Sequence, residues 1–224
     1  MISHEAMHLA ESLAHYALIV MALVYILRIR WFLGFVAGKE RQAPTGAADT
    51  NPKRGSNYSL AIIAMPWVME STRTKPFLYL QFVLFHLGVV AGITLSFTIP
   101  FAAEFTALPI VQIIFKSLIG AAFVVGVIRI IRRIGNIYMR AISTPDDHFA
   151  LWLLTAWFGF AYFAVSMDGG MAQYIYFWMT MFFLLYVPFS KISHYLYYPF
   201  TRHYFGKSMG RRGVYPIRRG PAAS

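Results

Sequence analysis

The 224-residue chain has no cysteine and only nine acidic residues. The first absence excludes disulfides, cysteine-ligated zinc and cysteine-ligated iron–sulfur clusters, so any metal chemistry must run on histidine, carboxylate or methionine. The second leaves twenty Lys and Arg largely uncompensated, a formal charge of +11. Also missing are a nucleotide fingerprint, a glycine-rich phosphate loop, a nucleophile–base motif and any internal repeat, so no enzyme or solenoid class is signalled. What is present is apolar. With 58% hydrophobic residues, 13% charged residues and a mean hydropathy of +0.54, the chain falls among membrane proteins.

A spanning helix needs about 20 mainly apolar residues. Five segments meet that demand, near 9–33, 77–97, 108–128, 149–165 and 172–190, so the expected fold is an all-α, five-helix transmembrane bundle. Glu5 and Glu11 replace a cationic leader at the first segment, and no small-residue cleavage site follows, so it is expected to be retained. All cations but Lys116 fall on one side of such a bundle, whereas Glu5, Glu11, Glu104 and Asp168 mark the other. The positive-inside rule then gives an external N-terminus and a cytoplasmic C-terminus. The basic charge is thereby assigned to topology and to anionic membrane lipids, not to nucleic acid. The membrane domain is expected over 1–205 and a basic cytoplasmic tail over 206–224. Within the first cytoplasmic loop, 34–76, the Pro-, Gly-, Ala- and Thr-rich stretch 42–56 reads as flexible at its start. The apolar stretch 58–70, too short to span and broken by Pro66, reads as an interfacial or partner-covered segment.

An ionisable side chain in hydrocarbon costs roughly 2.5–3.5 kcal/mol on insertion scales, so each one asks for a partner or a task. His86 follows Lys75 by about 16 Å of helix and lies near the middle of the second span. Two readings are open: a hydrogen bond to a neighbouring helix, or axial ligation of haem iron with the second ring nitrogen fixed by an acceptor. Gly88 and Gly92 lie on nearly one face and admit close approach of either a porphyrin plane or a helix backbone. A haem held by two histidines needs a second imidazole, and His194 near the cytoplasmic end of the fifth span is the best candidate. The competing reading has Lys191, His194 and Arg202 merely reaching headgroups. His203, beyond Pro199, and His148 are weaker alternative ligands. Thr144, Pro145 and Asp146 read as an N-cap, a proline at the first helical position and an acid on the positive dipole end. His4, His8 and His15 belong at or near the external edge. Lys116 stands about 20 Å from Arg129 and asks for a polar partner: Gln112, Ser117, a cofactor carboxylate, water or a quinone carbonyl. Lys116 and His15 are the candidates for a quinone site.

LFHLG around His86, the lysine of the third span, TPDD from Thr144 to Asp147 and PFSKISH ending at His194 together resemble the gamma-subunit family of respiratory nitrate reductase. That family includes the cytochrome b subunits of heterodisulfide-reductase-like and sulfate-reducer electron-transfer complexes, and the similarity runs over nearly the whole chain. The resemblance implies a multi-pass subunit of the prokaryotic cytoplasmic membrane. Such a subunit exchanges electrons with menaquinone or another quinone through haem b, and passes them to or from a cytoplasmic iron–sulfur subunit. It also implies a heterodisulfide-reductase-like or molybdoenzyme-associated partner, with an external multihaem cytochrome as a further one. Carried over residue by residue, His86 and His194 match the inner of two ligand pairs, but the outer positions hold Ser96 and Tyr176, neither a usual haem ligand. One bis-His haem b is therefore expected. Two rival functions are a haem-free structural anchor and a proton-coupled transporter using His and Lys. The odd span count and the lack of repeats or paired broken helices argue against the transporter.

Overall fold

The computed structural model describes residues 2–35, 50–166 and 170–217. Among them all regular secondary structure is helical. Four helices are long and apolar enough to cross a membrane: α1 (His4–Leu33), α4 (Pro76–Phe101), α6 (Pro109–Gly135), and α9 (Gly170–Tyr186) with its 3-10 continuation Val187–Phe189. The shorter or more polar ones are α2 (Pro52–Ala61), α3 (Glu70–Thr74), α5 (Ala103–Ala107), α7 (Ile137–Ile142), α8 (Pro145–Ala164) and α10 (His194–Arg211).

The expected fourth span corresponds to α8, which is not among the four. Its 20 residues give it the length, about 30 Å, but its apolarity is lower. The reason is positional. Helix α8 packs against both α6 and α9, its buried face mixes Leu151 and Phe158 with Thr155, Trp157 and three alanines, and its first turn holds Asp146, Asp147 and His148, which lower its apolarity. Residues 42–49 of the expected flexible stretch, Asp168 and the tail end 218–224 lie outside the described residues. Pro52–Ser56, at the end of that stretch, is helical, and 58–70 is divided among α2, a 3-10 turn and the start of α3.

The chain separates into two compact units, one of Met1–Phe32 with Leu80–Ile192 and one of Leu33–Tyr79 with Ser193–Ser224. The expected boundary between 205 and 206 falls inside α10, a helix of the second unit.

In the first unit, small residues let helices approach and large ones fill the space beside them. A Cβ at Gly88 would strike the Ala122 methyl of α6, and one at Gly126 would strike the Thr155 side chain of α8. Gly92 lies against the Trp157 ring. The fully buried Tyr176, Phe158, Phe177, Leu95 and Ile119 complete this core. Helix α1 buries mainly Ala10, Ala14 and Ala17, one face of small residues, and exposes Leu23, Ile26, Leu27 and Trp31, as a lipid-facing helix would.

The second unit is an antiparallel pair of α2 and α10. Asn51 and Gly55 lie by Gly210, Ser59 by Gly206, and the Tyr198 hydroxyl donates to the Leu60 carbonyl at 3.4 Å. A Cβ added to Gly55 would run into the Gly206 carbonyl oxygen and the Gly210 backbone, so here main chain touches main chain. Asn51 caps α2 by accepting from the Arg54 N–H at 3.0 Å, and Pro52 occupies the first turn.

Candidate functional site

His86 sits in α4 of the first unit, half-buried. Its Nδ1 lies 2.7 Å from the Phe82 carbonyl oxygen one turn earlier. A carbonyl can only accept, so Nδ1 carries the proton and donates, and Nε2 holds the lone pair. This is the tautomer that a metal-ligating histidine adopts, its second ring N–H being fixed by a backbone acceptor. Phe82 packs on the imidazole with ring centroids 4.2 Å apart, and Phe85 meets it edge-on at 6.3 Å. The imidazole thus has one fixed and one metal-compatible nitrogen within an aromatic surround.

Neither glycine of the second span faces open space. The Cβ direction at Gly88 meets Ala122 and that at Gly92 meets Trp157, so both positions serve protein packing. Beside Gly92 lies a buried polar cluster at the level of Ser96 and Tyr176. The Tyr176 hydroxyl donates to the Gly92 carbonyl at 2.6 Å, Ser96 Oγ donates to the Ile93 carbonyl at 2.7 Å, and the Trp157 indole donates to Thr180 Oγ1 at 2.9 Å. Trp157 stacks on Tyr176 with centroids 5.7 Å apart and planes at 25°. Two bulky rings with satisfied polar atoms therefore fill the interior at these positions.

His194 opens α10 in the second unit and is exposed, with Tyr195 edge-on at 6.5 Å. His203 lies further along α10, and its Nδ1 is 2.7 Å from Ser56 Oγ of α2, a bond that ties the helix pair together. His148 lies in the first turn of α8, its N–H donating to the Thr144 carbonyl at 3.3 Å. His86 thus belongs to one unit, and His194 and His203 to the other.

His15 on α1 packs against Phe97 and Phe101 of α4, with centroids 5.9 and 5.0 Å apart. Lys116 is half-buried and, among the described residues, has neither a hydrogen-bond partner nor a counter-ion. Helix α6 starts at Pro109, so Lys116 stands about 10 Å from that end, and its stem can carry the ammonium toward the bilayer edge.

One polar constellation escaped sequence reasoning as a unit. Thr144 and Asp147 form a capping box: the Asp147 carboxylate accepts from the Thr144 N–H at 2.8 Å, and the Thr144 hydroxyl lies against the Asp147 N–H. Lys191, 44 residues on, bonds Asp147 at 2.8 Å and Thr144 Oγ1 at 2.9 Å, while its backbone N–H donates to Asp146 at 3.0 Å. The Tyr186 hydroxyl also donates to Asp146, and Arg133 sits 3.9 Å from Asp147. The Lys191 ammonium, with the Thr144 backbone N–H, holds the Asp147 carboxyl well below the usual carboxylate range. Arg28 of α1 donates to the Pro188 carbonyl and lies 5.0 Å over the Phe189 ring. TPDD and PFSK are thus the two halves of one clamp between α8 and the end of α9. The readable signal was opposite charge at the ends of successive spans.

Among the described residues no group of three His, Asp or Glu side chains could hold a metal ion. That bears on a metal bound by protein alone and not on haem, whose iron takes two protein ligands. No family model, no curated protein and no solved structure matches this chain.

Proposed function

We propose that the chain is the membrane electron-transfer subunit of a respiratory redox complex in a prokaryotic cytoplasmic membrane. In this reading His86 and His194 would hold one haem b, which would supply the electron path between a quinone pool and a cytoplasmic iron–sulfur partner. It is taken as a relative of the nitrate reductase gamma-subunit family, with α8 as a fifth span, the N-terminus outside and the basic segments in the cytoplasm.

The observation that carries the reading is the 2.7 Å approach of His86 Nδ1 to the Phe82 carbonyl within an apolar helix, which makes Nε2 the nitrogen that an iron would take. Haem b, when bound, supplies one-electron exchange. The residues supply the rest. The Phe82 carbonyl fixes the His86 ring and raises its basicity, while Phe82 and Phe85 pack against it. Lys116 and His15 are offered to a quinone as hydrogen-bond donors, and the basic Lys53, Arg54, Lys207 and Arg211 are offered to the soluble partner.

A reduced-minus-oxidised spectrum of the purified protein tests this. A low-spin haem-b band is expected, and His86→Ala and His194→Ala should each abolish it. Its survival in either variant would move ligation to His203 or His148. A wild-type protein without the band would leave the second reading, a haem-free anchor, which the packing of Gly88 and Gly92 against protein favours.

A further inference from the structure

We propose that Arg129 is a binding site for an oxyanion, either a carboxylate or a phosphate. Arg129 is half-buried in α6, about 9 Å before the helix ends at Gly135. Its guanidinium carbon lies 5.0 Å from the centroid of the buried Phe85 ring, so one face of the fork is covered by an aromatic. The other half-buried arginines of this unit's described residues show what Arg129 lacks: Arg133 has Asp147 at 3.9 Å and the Ser143 hydroxyl at 2.6 Å, and Arg28 has the Pro188 carbonyl. Among the described residues no carboxylate lies within ion-pair distance of Arg129 and no acceptor takes its N–H groups. The nearby charges on its own helix, Arg132 and Arg133, are of like sign.

With one face on an aromatic ring and no counter-charge from the protein, this half-buried fork is open to a ligand that brings two coplanar oxygens and makes paired, charge-assisted hydrogen bonds. Phe85 is the chain neighbour of His86, so Arg129 lies at the level of His86 along α4. Two sources of the oxyanion follow. One is a carboxylate arm of a cofactor held by His86, and this arm rests on the haem reading above. The other is the phosphodiester of an anionic lipid, which does not.

The test uses the full-length protein purified in detergent, as wild type, Arg129→Gln and Arg129→Lys. Delipidated protein is titrated with phosphatidylglycerol and, as control, phosphatidylcholine, and the haem-b band is titrated with potential across pH. If the oxyanion is a lipid phosphate, Arg129→Gln binds phosphatidylglycerol about tenfold more weakly with no change for phosphatidylcholine. If it is a cofactor carboxylate, lipid binding is unchanged, the midpoint potential falls with the lost positive charge, and its pH-dependent region moves upward. A protein with no haem band removes the haem reading and leaves the lipid titration to decide. Arg129→Lys keeps a charge and loses the fork, and should give a smaller change of the same sign. It also serves if the glutamine variant does not fold. A glutamine variant equal to wild type in both titrations, or a lysine variant equal to wild type where glutamine does not fold, overturns the proposal.

Discussion

The two units are built on different packing rules. In the first, glycines receive side chains: Gly92 takes the Trp157 ring and Gly126 takes Thr155, while Tyr176, Phe158 and Phe177 supply the volume. In the second, glycines receive backbone, and the buried positions of α2 and α10 are Gly55, Ser56, Ser59, Gly206 and Gly210. A side-chain contact can give by rotating about χ angles. A backbone contact cannot, because both partners are fixed by helical hydrogen bonds. The first unit should therefore be most sensitive to loss of volume and the second to gain of it.

Removing the largest buried ring breaks the first rule. Trp157→Ala deletes the stack on Tyr176, the bond to Thr180 and the surface under Gly92, and should cost about 3–5 kcal/mol, read as lost thermal stability in detergent. Tyr176→Phe keeps the volume and loses the hydroxyl with its bond to Gly92, so about 1 kcal/mol is expected. A ratio near one between these two losses would mean that hydrogen bonding, not volume, holds the core.

Adding a single methyl tests the second rule. Gly55→Ala drives a Cβ into the Gly210 backbone and should cost about 1–3 kcal/mol, read as faster amide exchange or proteolysis in α2 and α10. Gly159→Ala in the first unit, where the nearest atom is a Phe123 ring carbon at 3.3 Å, should be milder, because that ring can turn aside. Equal effects would abolish the distinction.

The smallest effect concerns acid. Folding depresses the Asp147 carboxyl, chiefly through the Lys191 bond, so its contribution is complete above the ordinary carboxylate pKa and is lost as pH falls through the depressed folded value. Asp147→Asn should be less stable than wild type at neutral pH, and the gap should begin to close below about pH 4. A gap independent of pH would assign the role of Asp147 to shape alone.

Legibility followed the range of each interaction. The TPDD cap was readable because a capping box closes within four residues, so local chemistry determines it. The pairing of Asp147 with Lys191 was not, because nothing in a linear pattern says which span ends meet. Gly88 and Gly92 were readable as points of close approach, but what approaches, the Ala122 methyl and the Trp157 ring, depends on helix rotation. The α2–α10 pair was missed for the same reason. Gly55 lay in a stretch read as flexible at its start and Gly206 in a stretch read as tail, and only their contact gives either a purpose. His203, by sequence a weaker candidate iron ligand, places its Nδ1 against Ser56, a contact no linear pattern announces.

The sequence alone determined the helical, membrane-embedded character of the chain, because apolar run length and the cost of an unpaired backbone in lipid leave little choice. It also determined that His86 would lie within such a helix. The tertiary structure decided the division into two units, what meets each packed glycine, and which charges pair. Those depend on how helices turn about their axes, and near-uniform hydrophobicity around a spanning helix leaves that rotation unwritten until small residues, rings and ion pairs from distant segments meet.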